Sequence, residues 1–387
     1  MHAPRSLALS VALALAVPAS LAHAQLAVTA NDNKVVNVNG RVQVVPNPPP
    51  DTVTILDLKA SPPKSLGTVQ APVSVVGPPS SVAIAPDESL ALVTQSMQVN
   101  PADPTKQAPS NRLTVIDLKA SPPAVVATLE AGKGASGVSI NRQGTLALVA
   151  NRHEGTVSVF TIQGKTVTPA GKVAVADEKA LMAHVAITPD GKSALVSRAG
   201  DNRVSLLSID GTKVEYTKHD MHPGIRPAAL DIAPNGTYAV VAHLGGPGGG
   251  DVDTVSLIDL RARPPRVVDH IAVAPTAEGI KISPDGSVAA VVSHNGSTKA
   301  KESPFYNANG KLAIVRVSGA TLTKVAEAPI GAWSQGAAFS ADGRTILVGN
   351  MIPKDYWVFE WTGTTLRDTG VRISVPGGPA AIRTAEK

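Results

Sequence analysis

Short apolar, β-branched runs ending in a polar residue recur along the whole chain. AVTAN (27–31), ALVTQ (91–95), ALVAN (147–151), ALVSR (194–198), AVVAH (239–243), AVVSH (290–294) and ILVGN (346–350) read as seven copies of one buried strand. Before most of them lies another apolar run closed by Pro-Asp-Gly or a variant: VAIAPDE (82–88), VSINRQG (138–144), VAITPDG (185–191), LDIAPNG (230–236), IKISPDG (280–286) and AAFSADG (337–343). Asp-Gly and Asn-Gly supply the positive φ angles of a tight hairpin turn. The equivalent turn residues fall 45 to 57 residues apart, and a truncated copy, IRTAE, ends the chain at 382–386. A third strand follows each pair, such as TVSVFTI (156–162) or TVSLIDL (254–260), and then a fourth, such as AVVATLEA (124–131) or RVVDHIAVA (266–274).

Four strands per unit and seven units predict an all-β fold, a seven-bladed β-propeller with four antiparallel strands per blade. The C-terminal copy has only a first strand and the N-terminal copy starts at a second. The two ends should therefore complete one blade together, making residues 25–387 one domain. Three third-to-fourth turns nearly repeat, as DLKASPPK, DLKASPPA and DLRARPPR, where Pro-Pro makes a rigid turn.

Val-Ala-Ile-Thr-Pro-Asp-Gly, Ala-Leu-Val-x-Asn and Thr-Val-Ser-Val together resemble the YVTN-repeat propellers, whose superfamily includes the propeller-type lactonases. The resemblance covers essentially the whole chain after residue 24 and implies the propeller fold. The lactonase branches carry His, Arg and Glu in the central mouth; no motif transfers those roles to particular residues here.

Residues 1–24 combine Arg5, an apolar run from Leu7 to Val17 and Ala22-His23-Ala24, the three parts of a cleavable signal peptide. Cleavage is expected after Ala24, and the protein is expected to be periplasmic or secreted. The apolar run is too short to span a bilayer, and no membrane span follows it. The chain has no cysteine, so disulfides, thiolate metal sites and covalently attached haem are excluded. The sequence requires no cofactor. A formal net charge of +5 over 387 residues is mild, and no stripe of Lys and Arg interleaved with aromatics suggests a nucleic-acid partner. The Gly-rich run 245–250 follows a strand without opening a helix, which argues against a nucleotide loop.

Function is sought where the repeats differ. The polar residues that end the second strands are Asn31, Gln95, Asn151, Arg198, His243, His294 and Asn350; those just before the first strands include Ser80, Ser136, His184, Arg226, Glu278 and Gln335. Both sets are expected at one mouth of the central channel. His184, Arg198, Arg226, His243, Glu278 and His294 come from three consecutive blades and should crowd one sector. His184, His243 and Glu278 are candidate general bases, and Arg198, Arg226, His294 and Gln335 candidate ligand-binding residues. The three imidazoles also permit a transition metal. Asp231, Lys281 and Arg383, at equivalent places in the first strands, suggest an ion-pair network along the channel. Segments 32–51, with a hairpin signal at Asn39-Gly40, 96–110 and 295–309 are candidate lids.

The functional expectation is an exported propeller that binds a small anionic or hydroxylated ligand, or a polymer end, at the mouth. Hydrolysis of a cyclic ester by a lactonase-like enzyme is the second reading, and a protein-interaction scaffold using the rim loops the third.

Overall fold

The structure, a computed structural model, describes residues 25–246, 250 and 252–386. The leader reading of residues 1–24 lies outside them. Seven four-stranded antiparallel sheets form a propeller, with an added two-stranded hairpin. Blade 1 joins the two ends of the chain. Its innermost strand is Gly378–Thr384, followed outward by Leu26–Asp32, Thr52–Asp57 and Lys64–Gln70. Val28 pairs with Arg383 and Ala30 with Ala381 across the seam. Backbone pairing between the termini thus closes the ring, and the innermost strand of each blade leaves its free edge only along the central channel.

Blades 2 to 7 follow in chain order, their innermost strands being Val82–Ile84, Ala135–Ile140, Met182–Ile187, Pro227–Ile232, Ala277–Ile282 and Ser334–Phe339. Alternation along each second strand sends side chains to both neighbours. In blade 2, Ala91 and Val93 join the apolar cluster shared with blade 1, whereas Leu90 and Leu92 join the one shared with blade 3. Seven such clusters stand between consecutive blades, and the one between blades 7 and 1 includes Leu347, Tyr356, Leu56 and Ile382. Each blade therefore buries both faces, so its first two strands are largely apolar and many of their polar residues collect at the strand ends.

The three long connections converge over one end of the channel. Val35–Val38 and Arg41–Val44 form the expected hairpin, with Asn39 and Gly40 at φ 44° and 84°. It leans across to the segment after blade 6's second strand. Asn37 Nδ2 donates to Thr298 O (3.0 Å), Asn39 Nδ2 to Glu302 (3.1 Å), and Lys301 N to Asn39 Oδ1 (3.0 Å). Segment 96–110 is no loose loop but the tip of a long hairpin, Leu90–Asn100 with Asp103–Asp117. At the base of the leaning hairpin, buried Lys34 bridges Asp32 (3.1 Å) and Asp51 (2.6 Å). Val35 packs there with Trp333 and Met351.

Candidate functional site

The residues that end the second strands act within their own blades. Seven residues beyond each turn glycine, Asn151, Arg198, His243 and Asn350 face the start of the third strand. Asn31 Nδ2 donates to Thr52 and Thr54 (3.2 and 3.0 Å), and Asn151 Nδ2 to Thr156 and Ser158 (2.8 and 2.9 Å). His243 does the same: Nδ1 lies 2.9 Å from Thr254 Oγ1 and Nε2 3.3 Å from Ser256 Oγ. Burial pushes its pKa down to about 4, although the Thr254 carbonyl favours the protonated ring; His270 adds to the depression. Arg198 Nη1 donates to Ser205 and Asp220 (both 3.1 Å), and its Nε to Asp201 (3.1 Å). Arg198 and His243 are therefore braces inside blades 4 and 5, and the expectation that they line the mouth is corrected.

His294 differs because it does not occupy that position. Counting from the turn glycines, Ser293 is the equivalent of His243, and His294 stands one residue further on, beside Arg152, Ala199 and Leu244 in their blades. A shift of one residue reverses the side a strand residue faces. Those four residues do line the mouth. The same holds before the first strands. Glu278 and Gln335 lie eight residues ahead of their turn glycines, as do Ala183 and Ala228, and all four line the mouth. His184 lies seven ahead and faces the channel below, where Leu230 N donates to its Nδ1 (3.2 Å). Burial, then the charges of Arg383 and Lys281, hold its pKa well below the ordinary histidine value. Arg226 belongs to a third set at the strand entrances, with Leu181, Thr276 and Trp333, all held at positive φ (47° to 59°).

What the structure assembles is a cavity of about 400 Å³, whose ionisable lining is Arg152, Arg226, Glu278, His294 and Lys299, with Gln335, Thr276 and Trp333. Val42 of the leaning hairpin and Lys299 of segment 295–309 form part of its wall. At its floor His294 Nε2 lies 2.8 Å from Glu278 Oε2. Gln335 Nε2 donates to the same oxygen (3.3 Å) and lies 3.3 Å from His294 Nε2, while buried Gln335 Oε1 has no partner. Arg152 donates weakly to Leu181 O (3.5 Å). Burial depresses its pKa, Glu278 raises it and Arg226 lowers it further. The exposed Arg226 and the half-buried Arg152 thus repel one another across a space an anion would fill.

No family model matches the chain, and a search of curated proteins finds no match. Solved structures do. The periplasmic gluconolactonase PpgL of Pseudomonas aeruginosa superposes with TM-score 0.67 at 18% identity, over 93% of this chain and 99% of that one. A presumptive 6-phosphogluconolactonase from Bacteroides uniformis gives 0.69 at 18%, over 94% and 100%. A protein of unknown function from Desulfotomaculum acetoxidans gives 0.68 at 15%, over 93% and 99%. What the chain shares with these structures is the fold, a β-propeller. Of the six ionisable residues expected together, Arg226, Glu278 and His294 meet in the mouth, with Gln335, while His184, Arg198 and His243 do not. Arg152 was missed, although it follows Asn151 as His294 follows Ser293. Among the described residues no group of three or more His, Asp or Glu is placed to hold a metal ion, and the three imidazoles expected to share one lie in three different surroundings.

Proposed function

We propose that the mouth binds a small hydroxylated ligand with an anionic group and hydrolyses it as a cyclic ester. The observation that carries this reading is the contact set of Glu278, His294 and Gln335 at the floor of a cavity whose rim holds two arginines. Glu278 Oε2 takes both neighbours, leaving Oε1 to accept a proton from water. The water oxygen attacks the ester carbonyl, the ring C–O bond breaks, and the proton passes to the departing alkoxide. Arg152 opposes the charge that develops on the carbonyl oxygen, and Arg226 holds the ligand's anionic group or the carboxylate that forms. Gln335 Oε1 accepts from a ligand hydroxyl. A volume of about 400 Å³ suits one sugar-sized ring. The likeness to lactonase-type propellers agrees with this chemistry, and export guided by residues 1–24 would put it outside the cytoplasm.

A pH-indicator screen of aldonolactones and their phosphorylated forms tests the proposal. Acid release by the wild type, lost in His294→Ala, is the expected outcome. Absence of turnover on every lactone, with binding of the corresponding hydroxy acids retained, would reduce the site to a binding module.

A further inference from the structure

In blades 2 to 7 a tight turn joins the first strand to the second, and four of these turns carry proline at the same position: Pro86, Pro189, Pro234 and Pro284. Each proline stands beside the turn glycine of the next blade, as Pro86 by Gly144, Pro234 by Gly286 and Pro284 by Gly343. The turns thus touch in sequence around the end of the ring opposite the mouth. Blade 1 has no such turn, because its first two strands come from opposite ends of the chain. Blade 7 therefore lacks a turn to pack against, and there Ala341 takes the place of the proline.

Gln25 fills the gap. Along the second strand of blade 1, Leu26 and Val28 join the cluster shared with blade 2, and Ala27 joins the one shared with blade 7. Gln25, two residues before Ala27, faces blade 7 by the same alternation. Its Oε1 accepts from Ala341 N (2.6 Å), its Nε2 donates to Phe339 O (3.3 Å), and its own carbonyl accepts from Leu58 N (2.9 Å). The Ala341 N–H is the donor that a proline would lack. Leu26 N donates to Glu88 Oε1 (3.4 Å), so the backbone that follows is fixed as well.

Gln25 is also the residue that cleavage after Ala24 would leave at the N-terminus. An N-terminal glutamine loses ammonia when its neutral α-amine attacks Cδ. The N–Cδ bond forms, the Cδ–Nε2 bond breaks, a proton passes from the amine to the leaving nitrogen, and the product is pyroglutamate. The lactam nitrogen is that of the backbone, so Phe339 O loses its donor, and the small ring draws Oε1 back from Ala341. Ring closure and docking on blade 7 exclude one another. We propose that Gln25 of the exported chain is a modification site governed by folding, which cyclises to pyroglutamate in the unfolded chain and is held as glutamine once its amide docks on the blade 7 turn. The proposal rests on cleavage after Ala24 and is independent of the chemistry at the mouth.

Mass spectrometry of the N-terminal peptide tests both parts. The exported full-length protein should begin at an uncyclised Gln25; a chain that starts elsewhere, or that carries pyroglutamate throughout, would overturn the proposal. Chain 25–387, released from a fusion with Gln25 as its first residue, should lose ammonia at least about tenfold more slowly than a free peptide of residues 25–34 in the same buffer. Ala341→Pro deletes one bond to the amide while keeping a turn that four other blades use, and it should cyclise about fivefold faster than the wild type. Should that variant fail to fold, wild-type chain cyclised in urea and refolded supplies the second arm, and it should melt about 2–4 °C below the uncyclised chain. Ammonia loss from the folded wild type at the peptide's rate, a folded Ala341→Pro chain that cyclises no faster, or an equal melting temperature for the cyclised chain would each overturn the proposal.

Discussion

Glu278, on the innermost strand of blade 6, and His294, just past the end of its second strand, meet at 2.8 Å on the floor of the mouth, and Gln335 of blade 7 reaches them both. The amide pays for this with an unpartnered buried Oε1. Such a group costs about 1–3 kcal/mol unless a ligand satisfies it. Gln335→Met should therefore leave stability unchanged or raise it by up to about 1 kcal/mol, while KM for a hydroxylated lactone rises about tenfold. Chemical denaturation and steady-state kinetics on the same preparation check both halves.

Arg226 and Arg198 should separate cleanly under mutation. Arg226 is exposed at the rim, so Arg226→Ala should raise KM about tenfold with kcat nearly constant and the fold intact. Arg198 is buried between Asp201, Asp220 and Ser205. Arg198→Ala leaves two carboxylates short of a partner, although Arg203 still reaches Asp220 at 2.9 Å. The expected loss is about 2–3 kcal/mol of stability, with kcat/KM of the folded fraction unchanged.

Stability should fall on mild acidification, and His243 should be one cause. Its folded pKa of about 4 lies below the unfolded value of about 6.5. Between those values the unfolded chain binds the proton and the folded chain does not. The contribution is fully present above pH 6.5 and is lost progressively as pH falls toward 4, amounting to about 3 kcal/mol. His184 acts in the same direction. His243→Asn places at this position the residue that bonds Thr156 and Ser158 in blade 3. It should fold and flatten the stability profile between pH 4 and 6.5, measured by urea unfolding at a series of pH values.

The leaning hairpin depends on Gly40. Its φ is +84°, and a Cβ there would stand 2.4 Å from Ala300 N. Gly40→Ala cannot keep both the turn and the contact with 298–302. Amide exchange at Asn39 and Lys301 should accelerate by at least about tenfold, while the blades keep their protection and global stability changes by less than about 1 kcal/mol.

The repeats made the propeller legible because each blade buries both faces, so its apolar strands and its Asp-Gly turns recur in register. The shared blade followed from the truncated copies at the two ends. The site was only partly legible, for a reason visible in single residues. Aligning AVVSH with AVVAH by their final histidines places His294 beside His243. Aligning by turn glycines Gly286 and Gly236 places Ser293 there instead, and that register is the one the sheets adopt. The same one-residue error grouped His184 with Glu278. Counted from the glycines, Arg152 and His294 share one face and Glu278 and Gln335 another, so the mouth residues could have been found from sequence spacing. The meeting of the hairpin at 35–44 with segment 298–302 had no such signal, since it joins blades far apart in the chain.

The account rests on the mouth residues acting on the ligand while the strand-end residues only brace the blades. The most direct measurement is kcat/KM for one lactone with Glu278→Gln and His243→Asn side by side, both verified as folded. The prediction is a fall of about 10²- to 10⁴-fold for Glu278→Gln and a change of less than about threefold for His243→Asn, within the scatter expected of a remote substitution. Full activity in Glu278→Gln, or a collapse confined to His243→Asn, would contradict it.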